Sequence, residues 1–440
     1  MTISHKLSDK QVSLLELMLL GFIVVFHLWP AYAVIKIGAL PGLNLQRIFI
    51  ILLIIFWVFN IISSRRCYNE LLQKIINYRY LVFNLLAYFV WRYISVIKSD
   101  NFILSFYAAT NEFISYFLLF IIGLTVWHSS RQLSRVVFLL IALSIIVSLI
   151  GLYESHVEKN IFEQFVPITS EYTSQALEAK VRDSYRVQAT FEHPLVLAEY
   201  FVFVIPLALV MAVNSRTLFY RILGSGAVII DGLALWKTGS RTGIVVLIGL
   251  GFLAAAWKIW LVLKRSKDYR VVALLFAVLP VILAIAALGF FVINHLFQGR
   301  SSEEASSTVT RIVQLDLGIP LILNHPLLGY GPGTGAILLD IRNESGLPTI
   351  DNYYLSIALE SGLPALVLFT FAFGYIIFLS LQSLRFGFAF NGGFTLAFIG
   401  FVLCLPALSI TAFFPLIFLS FSLVTAMKTL SERYEKTTYL

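Results

Sequence analysis

Two arginines four positions apart, Arg182 and Arg186, precede the dipeptide His193-Pro194 at the start of an apolar run. A guanidinium group presents a rigid fork of N–H donors that matches phosphate oxygens, so paired arginines beside a membrane favour a lipid-linked phosphate. Alternatively, the arginines extend along the membrane surface towards water or pair with acidic neighbours, namely Glu178, Asp183 and Glu192. Pro194 suits the first position of a helix, with His193 beside it.

A second candidate site is the short turn at residues 238–243, which holds Arg241 between two apolar runs. A turn this short leaves Arg241 little freedom at the membrane boundary. Ser240 can cap the helix that follows, and the first amides of that helix also attract anions. A capped turn needs no function, so the pattern predicts the cap and allows an anion site.

The third candidate combines Arg311 and Gln314 with a glycine-rich stretch that begins at His325. Glycines at every second position from 329 to 335, Gly331 among them, allow the backbone to approach a ligand and to direct amides at an anion. The stretch follows no predicted strand and faces a predicted compartment without ATP, which argues against a nucleotide-binding loop. The alternative is a turn that packs under a neighbouring helix.

The fourth candidate is Asp351, which is followed by Asn352, Tyr353 and an apolar run that contains Glu360. A carboxylate at the membrane edge can accept a hydroxyl proton, which would make Asp351 a general base. The same carboxylate can instead cap the following helix, and spacing alone slightly favours the cap.

Two charged residues, Arg92 and Asp231, lie inside apolar runs and towards the same predicted side of the membrane. An unpaired charge within a membrane is costly, so each indicates either a functional site or an ion pair. A pair between Arg92 and Asp231 is the structural interpretation of both.

Membrane helices must position all of these residues, because the composition excludes a water-soluble protein. Hydrophobic residues make up 59% of the 440 positions, charged residues make up 13%, and the mean hydropathy is +0.87. Lipid offers the backbone no hydrogen-bond partners, so helices of about 20 apolar residues must carry the fold. The sequence therefore predicts an all-α polytopic membrane protein, with one domain over residues 1–440. About twelve spans are predicted, at approximately 12–33, 45–63, 79–97, 113–128, 135–153, 194–213, 218–236, 241–260, 271–293, 363–382, 393–408 and 410–427.

Lysine and arginine alternate between the predicted loops, and basic residues near span ends stay cytoplasmic, which predicts that both termini are cytoplasmic. The net charge of +8 then reflects topology and contact with membrane lipids instead of binding to nucleic acid. Two predicted external loops are long, residues 154–193 and 294–362, and such loops are usually functional or disordered. The second loop is predicted to contain short amphipathic helices, such as Thr308 to Leu323, whereas residues 301–307 have the composition of a flexible tip.

The four candidate sites, in this order and on a chain of about twelve spans, resemble the O-antigen ligase and polymerase superfamily of bacterial envelope enzymes. The resemblance is clearest over residues 182–364. It rests on four ordered elements: R-x-x-x-T-F-x-H-P-x-x-L-A from Arg186 to Ala198, Ser240-Arg241-Thr242-Gly243, the core His-Pro-Leu-Leu-Gly-Tyr-Gly that begins at His325, and Asn-x-Tyr-Leu followed by Glu-x-Gly.

The resemblance implies a glycosyltransferase that needs no metal, nucleotide sugar or other cofactor. Its donor would be an oligosaccharide on undecaprenyl pyrophosphate at the periplasmic face of the bacterial inner membrane. Its acceptor would be a hydroxyl of a glycan or of lipid A core, and other polysaccharide-assembly proteins would be partners. Arg186 and Arg241 would bind the pyrophosphate and stabilise the leaving group, with Arg311 as a further candidate. The other substrate-binding residues would be Arg182, His193, His325, Gly331, Asn352 and Tyr353.

One position departs from the superfamily pattern, because many members have His-Asn where this chain has Asp351-Asn352. The histidine is the proposed base for the acceptor, so Asp351 could take that role; otherwise His325 or Glu192 is the candidate. The departure leaves the acceptor open. A polymerase of O-antigen, capsule or exopolysaccharide repeats is slightly favoured over a ligase acting on lipid A core. A lipid-linked glycan flippase or transporter is the alternative from another class, but such a protein should hold its polar residues inside the spans.

Overall fold

The computed structural model describes residues 2–35, 43–166, 168, 177, 181, 184–265, 302–342, 348–384, 390–407 and 411–438. Within these ranges the regular elements are helices, which confirms the predicted all-α class. The α-helices are α1 (Thr2–Leu28), α2 (Leu45–Ser63), α3 (Arg65–Asn77), α4 (Arg79–Ser95), α5 (Phe102–Glu112), α6 (Leu119–Val126), α7 (Ser130–Val157), α8 (Pro194–Asn214), α9 (Leu218–Lys237), α10 (Arg241–Arg265), α11 (Ser302–Asn324), α12 (Gly335–Leu339), α13 (Tyr353–Ser383), α14 (Asn391–Cys404) and α15 (Phe414–Thr438).

In the described part of the chain, 9 helical segments are long and apolar enough to cross a membrane. Two shorter apolar helices, Leu14–Leu28 and Asn391–Ala407, fall on two further predicted spans. The predicted span at 271–293 lies outside the described residues. The span predicted at 113–128 begins earlier, at Phe102, because the π-helical turn Phe113–Leu118 continues α5 into α6.

The second long loop contains more helix than the sequence indicated. Helix α11 begins at Ser302, so the prediction of a flexible tip is wrong for residues 302–307. Helix α13 begins at Tyr353, ten positions before the predicted span at 363–382. The connection between α11 and α13, which includes the short helix α12, is therefore much shorter than the predicted loop.

Helix α8 is the centre of one group of helices, since it packs against α7, α9, α10 and α14 and is buried along most of its length. A second group consists of α4, α6, α13 and α15. Lipid supplies little hydrophobic force between helices, so close side-chain packing, including stacked phenylalanines, must hold both groups together. The connection between α8 and α9 is short, so these helices are antiparallel, and α8 and α10 begin at one membrane face. We call this the site face, and the face at which α7 and α9 begin is the opposite face.

Candidate active site

A buried carboxylate fixes the loop that carries Arg186. Glu154, in the last turns of α7, accepts hydrogen bonds from the Tyr185 hydroxyl at 2.9 Å, the Gln188 amide at 3.3 Å and the Ala189 amide at 2.7 Å. Burial and the neighbouring carboxylate raise the pKa of Tyr185, so its hydroxyl keeps the proton that it donates. The loop is therefore tied to the end of α7 on both sides of Arg186.

The Arg186 side chain lies against the turn between α9 and α10. Its Nε donates to the carbonyl oxygen of Thr238 at 2.9 Å, and the residue is only 6% exposed. Gly239 in this turn has a φ of +65°, and a Cβ at that position would lie 3.0 Å from Arg186 Nε. The turn thus requires glycine both for its backbone conformation and for the approach of the guanidinium group.

Arg241 is the first residue of α10 and directly follows the same turn. The predicted cap is confirmed, because Ser240 Oγ accepts a hydrogen bond from the Gly243 amide at 3.2 Å. The amino terminus of a helix attracts anions through its amides and its dipole. Arg186 and Arg241, which are far apart in sequence, therefore meet at one turn that also presents a helix amino terminus.

A buried carboxyl group faces this turn from α8. Glu199 is 2% exposed, and neither of its oxygens has a hydrogen-bond partner in the described part of the protein. It lines a cavity of about 10 Å³ with Ser240, Thr242 and Ala407, a volume that suits about one water molecule. Burying a polar group without a partner costs free energy, which indicates a role for Glu199 beyond packing.

Arg311 and Asp351 form an ion pair beside this cavity. Arg311 Nε lies 3.3 Å from Asp351 Oδ2, and both side chains are 33% exposed. Gln314, one turn along α11 from Arg311, accepts from the Asp351 amide at 2.9 Å and donates to the Thr349 carbonyl at 3.2 Å. These contacts hold the Asp351 backbone in place while leaving its carboxylate accessible.

Ala407 joins the two halves of the site. Its carbonyl oxygen accepts a hydrogen bond from Arg311 Nη2 at 3.4 Å, and the same residue lines the cavity next to Glu199 and Ser240. The Arg311–Asp351 pair and the Arg241 turn therefore lie at the same membrane face, and they are linked through Ala407.

Residues 226–370 match a family model described as O-antigen ligase. This segment belongs to the O-antigen ligase and polymerase superfamily. The match confirms the resemblance seen in the motifs, and the broad activity that follows is that of a membrane glycosyltransferase of O-antigen ligase or polymerase type. The O-antigen ligase segment includes Arg241, Arg311 and Asp351, whereas Arg186 and Glu199 precede it. No curated protein matches the chain.

The glycine-rich stretch of the O-antigen ligase segment packs against a break in α13. Gly362, with a φ of 75°, interrupts that helix. The amides of Tyr330 and Gly331 donate to the carbonyl oxygens of Leu359 at 2.9 Å and Glu360 at 2.8 Å. The structure thus supports the packing alternative for this stretch, since the Gly331 amide already has a protein acceptor, and substrate binding by Gly331 stays a prediction.

His325 stands apart from the Arg311–Asp351 pair. Its exposed ring contacts the edge of Tyr330, with the ring centroids 4.6 Å apart. His325 follows Arg311 by 14 positions along and just past α11, so a rise of about 1.5 Å per residue separates their backbones by about 20 Å. The structure does not bring His325 into the site, which argues against it as the base or as a substrate ligand.

Asn352, and not Asp351, caps helix α13. Its Oδ1 accepts hydrogen bonds from the amides of Tyr354 at 3.0 Å and Leu355 at 3.2 Å. The capping alternative for Asp351 is therefore wrong, and its carboxylate contacts Arg311 instead. The predicted substrate contact of Asn352 has to compete with this capping role.

Of the remaining predicted ligands, Tyr353 is a core residue. It is 4% exposed, and its ring centroid lies 4.8 Å from that of Phe414, so its ring packs in the core, and substrate contact by Tyr353 stays a prediction. His193 caps α8 by accepting from the Leu195 amide at 3.1 Å, with Pro194 as the first helical residue as predicted. Arg182 lies outside the described residues.

The predicted pair between Arg92 and Asp231 is wrong. Arg92, 2% exposed, donates to both oxygens of Glu112, and its Nη1 donates to Glu360 Oε2 at 2.8 Å and to Ser361 Oγ at 3.1 Å. These residues tie α4 to α5 and to the break in α13.

Asp231 has different partners because α9 packs against α7. Its two oxygens accept hydrogen bonds from the hydroxyls of Ser144 at 2.7 Å and Ser148 at 2.6 Å. The aspartate therefore links two neighbouring helices and lies in the other helix group from Arg92.

Sequence reasoning missed Glu112, Glu154 and Glu199. Each is an acidic residue inside or at the end of an apolar run, which is the signal that singled out Arg92 and Asp231. Applied to every charged residue in the predicted spans, that signal would have identified Glu199, whereas Glu112 and Glu154 lie one position outside the spans predicted at 113–128 and 135–153.

Proposed function

We propose that this protein is a polymerase of O-antigen, capsule or exopolysaccharide repeats. It transfers a glycan from undecaprenyl pyrophosphate to an acceptor hydroxyl at the periplasmic face of the inner membrane. The observation that supports this function is that Arg186 contacts the turn before Arg241 while Arg311 contacts Ala407, and that Ser240 of this turn and Ala407 both line the Glu199 cavity. The O-antigen ligase match supports the reaction class, and the distribution of basic residues supports the orientation.

Arg186 and Arg241 bind the diphosphate of the donor from two chain segments that meet at one turn. As the bond from the anomeric carbon to the pyrophosphate oxygen breaks, negative charge grows on the leaving group. Guanidinium groups held in place before the reaction stabilise that charge without a metal ion, and the amino terminus of α10 adds to the positive potential. The ties from Glu154 and Thr238 keep Arg186 in position.

Asp351 is the general base for the acceptor. The acceptor hydroxyl attacks the anomeric carbon, a new glycosidic bond forms, undecaprenyl pyrophosphate leaves, and the hydroxyl proton passes to the Asp351 carboxylate. Arg311 and Gln314 fix this residue, and its 33% exposure leaves it accessible to an acceptor from outside. The Glu199 cavity, which Ser240 and Ala407 also line, holds about one water molecule, and such a water can bridge polar groups during transfer.

The test is turnover by purified Arg186→Ala and Arg241→Ala variants in lipid nanodiscs supplied with a polyprenyl-pyrophosphate-linked oligosaccharide. Each variant is expected to lose about 10²- to 10³-fold in turnover, the loss found for removal of one preorganised donor. The matched control is Arg342→Ala, which removes an exposed arginine of the same loop region whose ion pair is with Asp340. The control should keep wild-type turnover.

The reaction products distinguish a polymerase from a ligase and from a flippase. A polymerase forms a ladder of repeats from the lipid-linked donor alone, whereas a ligase makes one addition and only when lipid A core is supplied. A flippase releases no polyprenyl pyrophosphate in either mixture. Wild-type turnover in both Arg186→Ala and Arg241→Ala would refute the proposed diphosphate site.

A further inference from the structure

A larger cavity, which is lined by arginines, lies at the opposite face of the membrane. It has a volume of about 550 Å³ and is found where α8 ends and α7 and α9 begin. Its lining includes Arg131, Arg135 and Arg216, with the hydroxyl groups of Ser134 and Thr217 beside them. In the described part of the chain, the lining contains no carboxylate.

Positive charge in this cavity exceeds what the nearby acidic side chain can balance. Arg135 Nη1 lies 3.3 Å from Glu16 Oε1, whereas Arg131 and Arg216 are exposed and make no ion pair among the described residues. Thr217, the residue before α9, makes no side-chain cap hydrogen bond. The first turn of α9 therefore adds amides without a side-chain cap to the three guanidinium groups, and both features favour an anion.

The same cavity has an apolar side, which a soluble anion would not require. Phe138 and Tyr220 line it with their rings in edge contact, 5.8 Å between centroids, and Val210 is a further apolar lining residue. Leu218 and Phe219, at the start of α9, are 71% and 63% exposed, as expected for side chains that face lipid tails. The site thus combines phosphate-binding groups with an apolar surface at a span end.

We propose that this cavity binds one anionic phospholipid, with the phosphodiester headgroup between Arg131 and Arg216 and the acyl chains along α9. The tendency of basic residues to stay cytoplasmic explains arginines at this face, but it does not require three of them to surround one cavity. The site is separate from the proposed catalytic residues, which lie at the site face. Its test therefore does not depend on the catalytic proposal.

The experiment is native mass spectrometry of the full-length protein in a zwitterionic detergent, titrated with phosphatidylglycerol, phosphatidylcholine or inorganic phosphate. The wild type should bind phosphatidylglycerol in preference to phosphatidylcholine. The double variant Arg131→Gln/Arg216→Gln should bind it about 25-fold more weakly, since each basic side chain near a membrane surface contributes about fivefold. The charge-matched control is Arg65→Gln/Arg79→Gln, which removes two exposed arginines at the starts of α3 and α4. It should bind phosphatidylglycerol as the wild type does.

Three results would overturn the proposal. Equal binding of phosphatidylglycerol and phosphatidylcholine would show that the headgroup charge is not recognised. An equal loss in the control variant would show attraction to the overall charge instead of this cavity. Complete displacement of phosphatidylglycerol by millimolar inorganic phosphate would identify a free anion as the occupant. If Arg131→Gln/Arg216→Gln fails to fold, Arg131→Lys/Arg216→Lys keeps the charge and should weaken binding by less than tenfold.

Discussion

Two charged clusters of this protein use arginine and carboxylate in opposite ways. In the cluster of Arg92, Glu112 and Glu360, the arginine side chain is 2% exposed and all three of its nitrogens donate to protein oxygens. In the pair of Arg311 and Asp351, both side chains are 33% exposed and the contact is longer, at 3.3 Å. The first cluster leaves no room for a ligand, whereas the second can accept one.

The comparison separates structural charge from functional charge. Removing one partner of a buried ion pair leaves an uncompensated charge and costs about 3–5 kcal/mol of stability. A partly exposed pair contributes less than a buried one, on the order of 1 kcal/mol, so changing it is expected to lower activity while the protein stays folded. Both clusters lie on or beside α13, which makes the contrast testable within one protein.

The largest expected effect comes from Arg92→Ala. This change leaves Glu112 and Glu360 buried without their cation, and about 3–5 kcal/mol is a large share of a typical stability of about 5–15 kcal/mol. We expect little folded protein after purification, measured by size-exclusion chromatography in detergent. The control is Arg311→Ala, which should elute as the wild type does. Recovery of Arg92→Ala with a wild-type melting temperature would contradict a structural role for the cluster.

The second largest effect is expected at Asp351 in the partly exposed pair with Arg311. Asp351→Asn keeps the shape of the side chain but removes the group that accepts the proton, so turnover should fall by about 10²- to 10⁴-fold. The melting temperature should stay close to that of the wild type, because Asn352 caps α13 and is unchanged. Asp351→His should restore part of the turnover, since imidazole can also act as the base. Full activity of Asp351→Asn would show that the base lies elsewhere.

The smallest effect is expected at Glu199. Glu199→Gln keeps the volume of a buried side chain whose oxygens have no hydrogen-bond partner in the described structure, so thermal stability should be unchanged. Turnover should fall several-fold, about the value of one neutral hydrogen bond of ~1 kcal/mol. Glu199→Leu tests the cavity by filling it with an apolar group and should lower turnover at least as much. Wild-type turnover in both variants would assign Glu199 no part in the reaction.

The sequence predicted some residues of the candidate site better than others. Arg186, Arg241, Arg311 and Asp351 could be selected because their residue types suit phosphate and proton chemistry and because they lie in or beside the motifs that resemble the O-antigen ligase and polymerase superfamily. Gly331 and Tyr353 were assigned to substrate from the same kind of pattern, and the structure gives both a packing role. A glycine or a tyrosine in a motif has the same appearance whether it contacts a ligand or a neighbouring helix.

The sequence by itself determined the helical spans and their caps, because both depend on neighbours close along the chain. Apolar length sets a span in lipid, and local hydrogen bonds set caps such as Ser240 and His193. The partners of Arg92 and Asp231, the meeting of Arg186 with the Arg241 turn, and the cavity at Glu199 were decided only by the tertiary structure. Each depends on which helices pack side by side, and apolar surfaces in lipid are too alike for composition to specify that choice.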